Sequence, residues 1–153
     1  MDFGNGYDGA GALAIFWLIY GIMIGLIFLS AIVVYVLMGF SFMKLFRKVG
    51  VEPWAAWVPI FNVWRILELG GQPGWISVLA VINGANIVTV VFECIAAYRI
   101  GIAFRKEGGW VVLFIFLPYV WAWVMASDGM EYEPGLLAAR GYGPPLVGYG
   151  SAR

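Results

Sequence analysis

The sequence predicts an all-α membrane protein with about four transmembrane helices, the second short, kinked or re-entrant, and an amphipathic helix on the cytoplasmic surface. Three observations lead there. Of 153 residues, 63% are hydrophobic and 12% charged, against about half and about a quarter in an ordinary soluble domain. A soluble core of this size could not enclose so much apolar surface, so lipid must solvate the remainder. The apolar residues also fall in long uncharged runs, and the basic ones gather at the ends of those runs.

The opening segment, residues 1–11, carries Asp2 and Asp8 and no Lys or Arg. A cleaved secretory signal would begin with a basic patch, so the first apolar run is expected to be a retained span. That run, Ala12 to Met38, contains no charge; at ~1.5 Å per residue it exceeds the ~30 Å hydrocarbon layer. Residues 40–50 follow, with Lys44, Arg47 and Lys48 on one side and Phe42, Leu45, Phe46 and Val49 at helical spacing on the other. This pattern reads as a short helix lying on the lipid surface.

Residues 53–69 are harder to assign, because Pro59 interrupts them and Arg65 and Glu68 come before the Gly70-Gly71 break. They read as a kinked short span or as a re-entrant or surface hairpin. Arg65 and Glu68 are one turn apart and form a local ion pair on a helix. Residues 75–98 read as the next span, ahead of Arg99, Arg105 and Lys106. The last span, residues 110–126, is uncharged but contains Pro118. The helical membrane domain is thus residues 12–127. Residues 128–153 are rich in Gly and Pro and read as an extended tail that orders only against something else.

If residues 53–69 cross, both basic clusters share one side. That side is cytoplasmic by the positive-inside tendency, and both termini are extracytoplasmic. Trp54, Trp64, Trp75, Trp110, Trp121 and Trp123 then fall near membrane interfaces, where amphipathic rings collect. Gly50, Trp54 and Asn62 recur at the same spacing as Gly71, Trp75 and Asn83, a weak internal echo.

The most informative polar feature is the stripe Asn83, Asn86 and Glu93, placed on one face of the third span by its three-four spacing. A carboxylate at membrane depth costs several kcal/mol if ionised, so it must face protein or water, be paired, or be protonated. The stripe reads either as interhelical hydrogen bonding or as a polar lining for an ion or ligand. Arg99 lies on the opposite face and reaches the headgroups. Gly21 and Gly25 form a GxxxG that favours close helix packing. Val147-Gly148-Tyr149-Gly150 spells the core of a potassium filter, but with no span following it the match is rejected.

Histidine is absent and Cys94 is the only cysteine, which removes the commonest general base and any thiolate metal cluster. No nucleotide-binding glycine pattern and no placed acid/base carboxylate pair is present, so no catalytic residue, cofactor or metal is expected. Nine basic residues balance nine acidic ones, which gives no reason to expect nucleic acid as a partner.

Gly50, Trp54, Pro59-Ile60-Phe61-Asn62 and Gly71-Gln72-Pro73-Gly74-Trp75 together resemble an uncharacterised, mainly actinobacterial family of small multi-spanning membrane proteins. The likeness extends over roughly residues 35–133. It implies a bacterial plasma-membrane location and a multi-pass fold; it assigns no catalytic or ligand residues. The family's second half often carries a proline where Ala80 precedes Val81-Ile82-Asn83, so a second kink there is not implied.

The function expected is a non-catalytic accessory or scaffold subunit of a larger membrane or cell-envelope complex. Its partners would be the lipid bilayer and other membrane subunits, or further copies of itself. The alternative is a small oligomeric transporter or channel lined by the third-span stripe.

Overall fold

A computed structural model describes residues 9–151; residues 1–8 of the expected N-terminal segment, and residues 152–153, lie outside the described residues. All regular elements among the described residues are helical. The chain divides into two units, Met1–Val36 and Leu37–Arg153.

The first unit is the apolar beginning of helix α1 (Gly9–Val49). Every described residue in it is exposed, including Phe16, Trp17, Leu26 and Phe28, the last at 70%. Among the described residues, two helices, Gly9–Val49 and Asn86–Ala103, are long and apolar enough to cross a membrane.

In the second unit, the last turns of α1 bury Phe42, Leu45, Phe46 and Val49 almost completely. The sequence had placed this face on a lipid surface. It is instead seated in the protein core, as a continuation of α1, because other helices of the unit cover it.

Residues 53–69 form a 3-10 turn, Pro53–Trp57, and then α2 (Pro59–Leu69). Pro59 starts α2 instead of kinking it, since a first-turn proline has no hydrogen bond to lose. At ~1.5 Å per residue, the 11 residues of α2 rise about 16 Å, half the hydrocarbon thickness. Its end approaches α3 (Asn86–Ala103) closely: a Cβ added to Gly70 would lie 2.5 Å from the Ala96 backbone.

The expected span at residues 75–98 is not one helix. A 3-10 segment, Gly74–Val81, ends in a turn before α3 begins at Asn86. Asn83-Gly84 makes that turn, with Gly84 at φ +86, a conformation open to glycine. The 3-10 segment lies beside α3, with Thr89 Oγ1 donating to the Ile76 carbonyl at 3.1 Å.

Residues 110–126 are also divided, into α4 (Trp110–Phe116) and α5 (Pro118–Met125). Lys48 donates to the Ser127 carbonyl, and its ammonium lies 5.8 Å from the Phe104 ring. The chain therefore leaves near Phe104 and returns beside it at Ser127. Trp121, expected at an interface, is fully buried, its ring 5.2 Å from that of Phe114.

The tail orders against its own chain. A helix leaves its last carbonyls without intrahelical partners, and three tail N–H groups supply them. Glu133 donates to Ala103 at 2.7 Å, Leu146 to Glu68 at 2.8 Å and Tyr149 to Val49 at 2.8 Å. These acceptors sit at or next to the ends of α3, α2 and α1. A short helix, α6 (Gly135–Ala139), buries Leu137 against Ile102 and Ala103 at the end of α3. The ends of α1, α2 and α3 therefore share one end of the unit with the tail. The tail also meets basic side chains there: Glu133 pairs with Arg105 at 2.6 Å, and the Tyr142 ring lies 5.0 Å from the Arg99 guanidinium.

Candidate functional site

Of the stripe Asn83, Asn86 and Glu93, Asn86 and Glu93 share a face of α3, and Asn83 lies before that helix. Asn83 is in the turn and exposed, and Asn86, the first residue of α3, is exposed too. Glu93, two turns further on, is partly buried and lines a cavity of about 220 Å³ within the second unit. The side chains that join it are Asn62 from α2 and Cys94 from α3. Sequence reasoning missed that Asn62 shares a cavity with Glu93. The signal available was a lone amide in an otherwise apolar stretch of α2, at the helical position beside Val63 and Ile66.

Asn62 is 6% exposed. Its Nδ2 donates to the Ala56 carbonyl at 3.5 Å, while its Oδ1 is buried without a partner. Glu93 has no hydrogen bond or ion pair among the described residues. The other walls are apolar: Met38 and Phe42 from α1, Val63 and Ile66 from α2, Val90 from α3, and Phe114, Ile115 and Pro118 at the break between α4 and α5. Proline has no N–H, so Pro118 cannot give the Phe114 carbonyl its helical donor.

Nearby cations are engaged elsewhere. Arg65 pairs with Glu68 at 2.7 Å, the local pair expected from the sequence, and with Glu52 at 3.3 Å. Arg99 donates to the Gly70 carbonyl at 2.9 Å. Lys44 lies 3.9 Å from the Trp123 ring and Lys106 4.7 Å from that of Trp110. Arg47 reaches the Met43 sulfur at 3.7 Å. Arg105 adopts φ 59 as it turns toward Glu133. The basic residues thus form the end of the unit where the tail docks, and none of them lines the cavity. In the first unit, Gly21 and Gly25 have nothing within 4 Å of where a side chain would begin.

Residues 54–133 match a family described as a family of unknown function (DUF5684). The chain belongs to this family. The DUF5684 segment contains Asn62, Glu93 and Cys94 and both halves of the α4–α5 pair, and it stops before α6. Two wall residues, Met38 and Phe42, come from outside it. No curated protein and no solved structure matches the chain.

Proposed function

We propose that this protein is a multi-pass component of the bacterial plasma membrane, acting as a non-catalytic accessory or scaffold subunit of a larger membrane or cell-envelope complex. The observation that carries the reading is the first unit. From Gly9 to Val36 the helix buries none of its side chains, and Ala12 to Met38 contains no charge. Water would be a poor solvent for that surface, and lipid or neighbouring helices a good one. Its open small-residue face at Gly21 and Gly25 suits close approach by another helix.

The basic end of the second unit faces the cytoplasm in this reading, and the docked tail lies there with it. The chain reversals at the far end expose Val58, Val81, Ile82, Phe116 and Leu117, as suits hairpins entering lipid from that side. The first span then places its N-terminal end outside.

Two measurements test the reading. Purification in mild detergent followed by native mass measurement is expected to yield a complex with other chains. A folded monomer with no other chain bound would overturn the subunit role. A reporter fused after Arg153 is expected to be active in the cytoplasm, and activity outside would overturn the topology. The unpaired Glu93 favours a second reading, a small oligomeric transporter or channel. A solute flux in proteoliposomes that Glu93→Gln abolishes would establish it over the first.

A further inference from the structure

We propose that the cavity between the end of α1, α2, α3 and the α4–α5 break binds a small organic ammonium ion with a compact apolar body. The proposal stands on the cavity alone and holds for either role above. Two polar groups in its wall can accept hydrogen bonds: the Glu93 carboxylate, and the Asn62 Oδ1, which is buried without a partner. A ligand that satisfies both must bring N–H donors, and one that suits an ionised carboxylate must bring positive charge.

Among the described residues, no basic side chain lines the cavity. Arg65, Arg99, Lys44 and Lys48 are committed to other partners. A carboxylate in an apolar wall without a counter-charge is costly when ionised; it takes up a proton or pairs with a cation from outside, and an ammonium ion supplies both the charge and the N–H donors. Phe42 and Phe114 also line the cavity, and an aromatic ring attracts a cation that meets its face.

Size and lining separate an organic cation from a metal ion. A bound calcium ion takes six or more oxygens and a bound magnesium ion near-ideal octahedral coordination, whereas the side chains here offer the oxygens of one carboxylate and one amide. The volume of about 220 Å³ holds about seven water-sized groups at ~30 Å³ each. The remaining walls are hydrocarbon, which suits the body of an amine and not a hydration shell.

Cys94, the chain's only cysteine, lines the same cavity and reports on its occupancy without any mutation. The full-length protein in detergent is treated with N-ethylmaleimide at fixed pH, and Cys94 labelling is followed by mass. Cyclohexylammonium is compared with cyclohexanol, which has the same ring and no charge, and with sodium ion. Cyclohexylammonium is expected to slow labelling about tenfold when present at ten times its dissociation constant, as mass action requires. Cyclohexanol and sodium are expected to leave the rate unchanged. Glu93→Gln is expected to lose the protection and Glu93→Asp to keep part of it. Equal protection by cyclohexanol would show an apolar void and overturn the proposal. Equal protection by sodium, protection that survives in a folded Glu93→Gln protein, or no protection of the unmutated chain would each overturn it as well.

Discussion

Replacing Leu137 by Ala tests whether the tail is a docked part of the second unit. Leu137 is 1% exposed, packed with Ile102 and Ala103 and bordered by Tyr98, Leu136 and Tyr142. Truncating a buried leucine to alanine costs about 2–5 kcal/mol, depending on how far the surroundings relax into the void. The bordering side chains are only partly buried and can close in, so the low end applies, about 2–3 kcal/mol. The Arg105–Glu133 pair is 67% and 34% exposed, and such pairs contribute about 0–1 kcal/mol. Leucine burial therefore outweighs the ion pair in holding the tail. At about 1.4 kcal/mol per tenfold, Leu137→Ala raises the population of the undocked tail by about thirtyfold to a hundredfold or more. Native-state hydrogen exchange reads this at the Glu133, Leu146 and Tyr149 amides, each of which donates to a helix end. All three are expected to exchange faster in Leu137→Ala, with the amides in the middle of α3 unchanged, because the tail opens as one cooperative segment. Unchanged exchange at Glu133 would refute the reasoning. So would a Glu133→Gln protein whose tail opened as far as that of Leu137→Ala.

Further outcomes follow from the packing. Gly70→Val places a side chain against the Ala96 backbone and is expected to lower the midpoint of thermal unfolding in detergent, by an overpacking cost of at least about 1–3 kcal/mol; Gly71→Ala, strained by φ +69 but without that contact, should cost less. Trp121→Ala removes a fully buried ring and is expected to cost about 3–5 kcal/mol, whereas Trp75→Ala, at 58% exposure, should leave the unfolding midpoint of the detergent-solubilised protein nearly unchanged. Burial pushes the Tyr132 phenol well above its ordinary value, so the folded chain keeps this proton at a pH where the unfolded chain loses it. Stability from this group is full below the ordinary phenol range of about 10 and declines as pH rises beyond it. In Tyr132→Phe that part of the alkaline decline is expected to vanish from denaturant titrations.

Several elements were legible because their signals are local. The uncharged run Ala12–Met38, the basic residues that follow it, and the Arg65–Glu68 pair one turn apart depend on composition and spacing, and both can be read along a line. The break before α3 was also local: Asn83-Gly84 is a turn signal, but the hydropathy of its flanks favours one continuous helix. The same bias hid the division at Pro118. That Asn62 shares a cavity with Glu93 was not legible, because the two residues line it from α2 and α3, far apart in sequence.

The sequence by itself determined an all-helical chain with long uncharged apolar runs, and it placed a carboxylate in an apolar stretch. Hydropathy and helical period are properties of neighbouring residues, so one strand of text carries them. The tertiary structure decided which polar groups share the cavity, and that the tail closes over the ends of α1, α2 and α3. Those outcomes depend on where the chain reverses and which faces then pack. A reversal at one turn redirects every residue after it, and the carbonyls left open at a helix end accept whichever distant N–H the packing brings to them.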